Sequence, residues 1–378
     1  MNKKLYEIVC YFATLLFAVI FLFVGHRVAS AGMPDLFNKY GSYETVVAEV
    51  TKIHDRINTK QMFEAKIIKG AQFSSIFAVQ ETNQNYRSGV KEVEVGDKVI
   101  VVREWDASWS FVDYYRIDKI VWLGAAFVLL LLIFGRLKGF HAFLSLGLTC
   151  AAIFVVFIPS LLSGQNIYAS SMIVCIFSIV VTIFIVTGVN RKSLAAIAGC
   201  SGGLIATGIL TFLMNAALGI TGVLNKDSAF FLYLFKGSHI VNLRAVIFAG
   251  IIIGAVGAMM DVAMSISSAL WEIKEKAPGL GFGELLKSGF NISRDVMGTM
   301  SNTLVLAYIG NSLSVVVILT VYIKSFTELI NRELVIIELL QAIIGSLGLL
   351  LTMPLASLIC AALYNAPSNT QAGNQKVS

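Results

Sequence analysis

Apolar runs long enough to cross a bilayer recur along almost the whole chain, and one polar interval separates the first of them from the rest. Residues 6–29 form the first run; others cover 120–134, 141–162, 169–189, 194–218, 245–271, 296–322 and 334–363. A hydrocarbon core about 30 Å thick needs roughly 20 helical residues, so the pattern predicts eight transmembrane helices. The run 120–134 is short and draws on the aromatic stretch before it. Ala29-Ser30-Ala31 would suit a cleavage site, but the run ahead of it exceeds a signal peptide's apolar core and reads as an uncleaved anchor.

The polar interval, residues 31–118, changes period. Thr45 to Ile53, Met62 to Ile68, Ser74 to Val79 and Lys98 to Val102 alternate apolar and polar residues and are rich in β-branched side chains, while Gly70, Gly89 and Gly96-Asp97 mark turns. This predicts a small β-rich module, either a barrel of the oligonucleotide-fold type or a half-barrel like those of membrane-fusion proteins. Trp105, Trp109, Phe111, Tyr114 and Tyr115 follow it. Next to a span, such a cluster serves more often as core or interfacial anchor than as a ligand site. The expected fold class is an all-α polytopic membrane bundle of about eight transmembrane helices, with the β-rich extracytoplasmic module between spans 1 and 2. Its parts are an anchor (1–30), the module (31–118), a seven-helix membrane domain (119–364) and a polar cytoplasmic tail (365–378).

Composition agrees: 57% of the 378 residues are hydrophobic and 14% charged, against about 25% charged in soluble domains. The net charge of +6 reflects Lys and Arg beside helix ends, so no nucleic-acid partner is expected. With the N-terminus inside, cytoplasmic segments hold Lys3, Lys4, Arg136, Lys138, Arg191, Lys192, Lys274, Lys276, Lys287, Arg294 and Lys376. The short external loops hold only Lys226, Lys236, Arg244, Lys324 and Arg332. That bias predicts cytoplasmic termini.

Two apolar segments carry polar seams. At 3.6 residues per turn, Gly250, Gly254, Gly257, Asp261, Ser265 and Ser268 share a sector of about 80°, and Asp295, Thr299, Asn302, Thr303 and Gly310 a stripe of about 100°. Gly250, Gly254 and Gly257 read as a helix-packing seam, as do Gly199, Gly202, Gly203 and Gly208, because small residues let backbones approach in lipid. Met259, Met260 and Met264 read as packing. Pro354 is expected to kink the last span.

An ionised carboxylate at the bilayer centre costs about 2.5–3.5 kcal/mol, so Asp261 and Glu338 should face protein or water. Asp261 reads as a proton or cation site, with Ser265 one turn on. Asn302, at its depth on the next helix, is its expected contact, with Thr299 a polar partner. Glu338, with Gln341 and Gly345 on its face, is a possible second site. Asp295 reads as an N-terminal cap of its helix.

Other chemistry finds no support. Cys10, Cys150, Cys175, Cys200 and Cys360 lie in apolar segments without a CxxC, so neither a disulfide framework, a metal nor another cofactor is expected. His26, His54, His141 and His239 are scattered, and HExxH, GxSxG and GxxxxGK[ST] are absent. An enzyme is not expected.

GRLKGFHAFLSL at 135–146, GAVGAMMDVAMSISSAL at 254–270 and SGFNISRDVMGTMSNTLVLAYIG at 288–310 resemble the YibE/F-like family of bacterial membrane proteins. Ser293 departs from the pattern, which has glycine before Arg294. The resemblance implies a multi-pass plasma-membrane protein, working with a companion paralogue that lacks the external module. A glycine-rich span with a mid-membrane Asp, a charged link and a polar-striped span is also similar, at the level of fold, to the later half of the resistance-nodulation-division and SecDF permeases, whose helices carry proton-coupled acids.

The expected function is a proton- or ion-coupled permease or exporter component for an unknown small-molecule or peptide substrate. Its partners are the lipid bilayer and a companion paralogue or second copy. Alternatives are an intramembrane aspartyl protease using Asp261 and Asp295, although no GxGD follows the acid, and a non-transporting assembly or scaffold protein.

Overall fold

Strand-period alternation in the polar interval builds a closed five-stranded barrel: β1 (Thr45–Ile57), β2 (Lys60–Lys69), β3 (Ser75–Glu81), β4 (Lys98–Arg103) and β5 (Trp109–Tyr114), in the order β1-β2-β3-β5-β4. A computed structural model describes residues 3–31, 44–57, 60–69, 75–81, 91–104, 106–223 and 241–366. Expectations placed on Gly70, Ser74, Gly89, Trp105, Lys226, Lys236, His239, Lys376 and most of the tail lie outside the described residues. Two compact units emerge, one of residues 35–136 and one of residues 1–34 with 137–378.

Antiparallel β1 pairs with both β2 and β4, and β3 pairs with β5 in parallel, Ala78 opposite Trp109. Closure selects the barrel over the half-barrel. Every second residue points inward: Val46, Ala48 and Val50 on β1, Phe63, Ala65 and Ile67 on β2, Val99 and Val101 on β4. Small Ala48, Ala65 and Ala78 leave room for fully buried Phe63, which a narrow cylinder requires. Trp109, Phe111 and Tyr114 pack against this core, so most of the aromatic patch is a strand. Gln80 fastens the segment before β4, accepting from Val93 N–H at 3.0 Å and donating to Lys91 O at 3.2 Å.

At the turn ahead of β4, Gly96 takes φ 91° and Asp97 accepts from Lys91 Nζ at 2.9 Å and from Glu94 N–H at 3.0 Å. Partial burial pushes the Asp97 carboxyl up, but the Lys91 and Glu94 bonds outweigh it and hold the group below the ordinary carboxylate value. Its stabilising contribution is complete above the unfolded value near ~4 and is lost as pH falls through the lower folded one.

The other unit is helical. Its elements are α1 (Lys3–Ser30), the second arm of α2 (Ile117–Ala151), a π turn (Ala152–Phe157), α3 (Ile158–Leu162), α4 (Ile167–Thr187), α5 (Arg191–Ala217), α6 (Leu243–Lys276), α7 (Phe282–Tyr322), α8 (Phe326–Asn331) and α9 (Glu333–Asn365). Among the described residues seven helices are long and apolar enough to cross a membrane, with Ile117–Leu162 counted once. The eight expected runs map onto these seven. Within α2, Arg136 leaves helical geometry at φ 48°, ψ −127°, between the runs 120–134 and 141–162. α7 starts 14 residues before its expected span, because Phe282 to Asp295 is helical but too polar for a hydropathy window to register. Asn166, Asn190 and Asn242 cap α4, α5 and α6, each accepting a backbone N–H three residues on.

α9 packs against α5, α6 and α7. Against α5 the register is antiparallel and built from small residues: a Cβ on Gly199 would stand 2.6 Å from Ala356 Cα, one on Gly203 2.9 Å from Thr352 Cα, and one on Gly348 2.9 Å from Thr207 Cγ2. Glycine reads here as packing, as expected. Met259 is buried in the surrounding core and Met260 and Met264 pack against it. The helix runs on through Pro354. α1 docks on the π turn and α4: Phe21 stacks on Phe177 at 4.0 Å, and the His26 ring bonds Val155 O at 3.0 Å.

Two outcomes test these assignments. In the full chain, hydrogen-exchange protection of the Glu94 and Gly96 amides should fall as pH drops from 6 to 3, and Asp97→Asn should lack it already at pH 6. Gly203→Ala should lower stability to thermal unfolding in detergent by about 1–3 kcal/mol. Gly257→Ala, which meets open space, should be neutral or gain up to about 1 kcal/mol from helix propensity.

Candidate functional site: the polar faces of α6, α7 and α9

Ala245, Phe248, Ile252, Ala255, Met259, Val262, Ile266 and Leu270 bury one face of α6 at helical spacing. Gly250, Gly254, Gly257, Asp261 and Ser265 lie on the opposite, exposed face. On α7, Asp295, Thr299, Asn302, Thr303 and Gly310 are exposed as well. Both seams therefore look out of the bundle. Gly250 and Gly257 have nothing within 4 Å of a Cβ position, so among the described residues neither of them packs against another helix. Gly254 alone is approached, with Tyr308 Oη 2.9 Å and Gln341 Nε2 3.6 Å from its Cβ position.

Two approaches fix the antiparallel register of α6 and α7. Gly254 meets Tyr308, and a Cβ on Gly289 would stand 3.1 Å from Leu270 Cδ1. Counting from each anchor places Asp261 level with residues 298–301, so Thr299 is at its height and Asn302 one residue beyond. The expected Asp261–Asn302 contact is nevertheless not formed: among the described residues the Asp261 carboxylate has neither hydrogen-bond nor ion-pair partner. The seam hydroxyls serve their own helices instead. Ser265 Oγ donates to Asp261 O at 2.8 Å, Thr299 Oγ1 to Val296 O at 3.1 Å and Thr303 Oγ1 to Thr299 O at 2.8 Å. Outward-facing side chains without a facing helix have only their own backbone to bond.

Asp295 is not a helix cap. α7 begins at Phe282, where the Glu284 carboxylate accepts Gly281 N–H at 3.0 Å, so Asp295 lies well inside the helix. The same register sets it about 5–9 Å of helical rise from Asp261, and no hydrogen bond joins the two.

Residues 123–366 match the family described as YibE/F-like protein. The chain belongs to the YibE/F-like family. Neither a curated protein nor a solved structure matches it. The family match begins inside α2, so it includes Asp261, Glu338 and both polar faces and omits the barrel. With these helices the YibE/F-like chain is a multi-pass membrane protein.

The polar group that the YibE/F-like helices do assemble centres on Glu338. Its carboxyl bonds Ser312 Oγ, and Ser312 Oγ also lies 3.0 Å from Tyr308 O. One hydroxyl proton faces two acceptors, the Glu338 carboxyl across the α7–α9 contact and the Tyr308 carbonyl of its own helix. A cavity of about 110 Å³ opens beside them, walled by Val316, Leu339 and Ala342 among others. One turn from Ser312, Tyr308 is 9% exposed, and its Oη makes no hydrogen bond of ordinary geometry although the Gln341 side chain lies beside it; Ser301 Oγ, two turns further, is buried and unpartnered among the described residues. Spacings of seven and four residues put Ser301, Tyr308 and Ser312 on one face of α7, over about 16 Å of rise. Sequence reasoning named Glu338, Gln341 and Gly345 but missed this row. Its signal was there: three hydroxyls at helical spacing, lost beside the more polar outward stripe.

At the far end, Ser267 Oγ bonds Tyr364 Oη and Lys192 O, each at 2.7 Å, and Lys274 Nζ donates to Leu280 O at 2.7 Å and Asn365 Oδ1 at 2.8 Å. These contacts tie the start of α5, the α6–α7 turn and the end of α9. Ser293, the departure from the family pattern, donates to Gly289 O at 2.7 Å and lies 3.3 Å from Ser357 Oγ, so its hydroxyl is accommodated within the α7–α9 contact. Among the described residues no three His, Cys, Asp or Glu side chains form a metal-binding group.

The Glu338 contact predicts that Glu338→Gln, whose side-chain oxygen can still accept from Ser312, keeps thermal stability in detergent within about 0.5 kcal/mol. Glu338→Ala should lose about 1–3 kcal/mol by leaving a void and removing the α7–α9 hydrogen bond, so that Ser312 keeps only Tyr308 O.

Proposed function

We propose that this protein is a proton- or ion-coupled permease or exporter component of the bacterial plasma membrane, with Asp261 and Glu338 as its coupling acids. One observation carries the reading: a single face of α7 lines up Ser301, Tyr308 and Ser312 between the depth of Asp261 and the carboxyl of Glu338, with Tyr308 Oη beside Gln341 and the buried Ser301 hydroxyl without a partner among the described residues. Unpartnered buried hydroxyls are rare in folded proteins, and intramembrane acids mark proton and ion paths more often than they serve structure. Hydroxyls both donate and accept, so with intervening water they form a path along which protons move.

The outward seam fits the same role. Asp261, Ser265, Thr299 and Asn302 face away from the bundle, and hydrocarbon is a costly neighbour for them. A second copy or companion paralogue covering the face would enclose a polar cleft for the small-molecule or peptide substrate. In this topology the cationic end, with Arg191, Lys192, Lys274, Lys276, Lys287 and Arg294, is cytoplasmic, both termini lie inside and the barrel lies outside. The protein transports rather than cleaves its substrate.

Reconstituted into liposomes with an imposed pH gradient, the native protein should raise proton flux above protein-free vesicles. Asp261→Asn and Glu338→Gln should each cut that flux by about tenfold or more, and Tyr308→Phe should reduce it, as expected for groups that hand on protons. Equal flux above background in native and Asp261→Asn protein overturns the assignment of Asp261.

A further inference from the structure

Beneath the barrel, within the unit of residues 35–136, a cleft of about 640 Å³ opens between the β4 turn and the first turns of α2. Lys91, Lys98, Arg116 and Lys119 line it, with Asp97 and Asp118 as the lining acids among the described residues. Both acids are engaged, Asp97 by Lys91 at 2.9 Å and Asp118 by Lys98 at 2.8 Å. Arg116 uses one guanidinium nitrogen on Asp113, at 2.9 Å, and among the described residues its other N–H groups have no ion-pair partner. Lys119 has no ion pair among the described residues. Two cations therefore remain available to an anion.

Aromatic rings hold the charged groups in place. The Tyr114 ring lies 4.9 Å from Lys91 Nζ and 5.4 Å from the Arg116 guanidinium, and Tyr115 accepts from Lys69 Nζ at 3.1 Å. Below the cations the wall turns apolar at once: Ile120 and Leu123 line the cleft and are 64% and 73% exposed, and neighbouring Trp122 is 77% exposed. These three belong to a helix apolar enough to span a membrane, so Lys119, in its first turn, stands at headgroup depth with an interfacial tryptophan just below. A cationic rim directly above an exposed apolar wall matches a ligand with an anionic head and a hydrocarbon tail.

We propose that this cleft binds the phosphate of an anionic phospholipid, with Arg116 and Lys119 on the phosphate and the acyl chain along Ile120 and Leu123. The cations act as point charges at the membrane surface, where each basic residue strengthens binding by about fivefold. The site is independent of the coupling acids.

The test uses full-length protein in phosphatidylcholine nanodiscs carrying a trace of photoactivatable phosphatidylglycerol or, separately, photoactivatable phosphatidylcholine. Labelling of the 114–123 peptide should be several-fold greater with the phosphatidylglycerol probe. It should fall about fivefold in Lys119→Ala and further in Arg116→Ala/Lys119→Ala, should persist in Lys119→Arg, and should be unaffected by millimolar inorganic phosphate. Unchanged hydrogen-exchange protection of β4 shows that the variants keep the barrel. Equal labelling by the two probes, or undiminished labelling in the double variant, overturns the proposal. Displacement by inorganic phosphate overturns the lipid assignment in favour of a soluble phosphate.

Discussion

The close approach of α5 and α9 is the constraint on which the membrane unit depends. Lipid offers helices no hydrophobic drive to associate, so dispersion and backbone proximity must hold them. Gly199, Gly203 and Thr207 on one helix meet Ala356, Thr352 and Gly348 on the other, in antiparallel steps of four residues. Glycine or a small side chain faces a backbone at each step, so neither helix can shift by a residue without driving a Cβ into its neighbour. With α9 seated on α5, its other faces receive α6 and α7 through Tyr364, Gly345 and Ser357.

That seating decides which side of α6 is left over. The helix spends Met259, Val262, Ile266 and Leu270 on the core, and the opposite face carries Asp261 and its glycines outward. Placing an ionised Asp at the bilayer centre costs about 2.5–3.5 kcal/mol, a sizeable share of a protein's net stability of roughly 5–15 kcal/mol. The cost falls if the acid is protonated, reached by water or covered by another protein surface. Open space beyond Gly250 and Gly257 leaves backbone accessible in the turns preceding the acid, so a covering helix would meet little steric resistance there.

Much of this was legible in the chain and some was not, for physical reasons. Hydropathy located every membrane helix because length and apolarity are properties of the segment alone. It missed the first 14 residues of α7, where Glu284, Lys287 and Arg294 dilute an amphipathic stretch, and it left the β5 aromatics as core or interfacial anchor without assigning a strand, since Trp109 and Phe111 look alike in both settings. Period two revealed the other four strands. Rotation arithmetic grouped the polar residues of α6 and α7 correctly, yet it cannot say whether a face turns inward. The same glycine spacing is packed at Gly199 and Gly203 and open at Gly250 and Gly257; only the partner helix distinguishes them. The Ser312–Glu338 contact joins residues 26 apart on separate helices, and local periodicity holds no information about that pairing.

The distance between the two acids limits how they can work together. Ser312 lies beside Glu338, and the α6–α7 register puts Asp261 about 16–21 Å away along the helix axes. No side chain spans that gap, so any coupling between the acids must pass through intermediates. Ser301, Tyr308 and Ser312 divide the interval into steps of about 10 and 6 Å, each too long for a direct hydrogen bond and short enough for a few waters. Tyr308 lies tightly between two helices, with its hydroxyl against Gly254 and its ring against Gly345. A side chain at either glycine would displace it. The two glycines thus fix the position of a group that stands between the acids, which gives Gly254 a reason to be glycine that the outward seam alone does not supply.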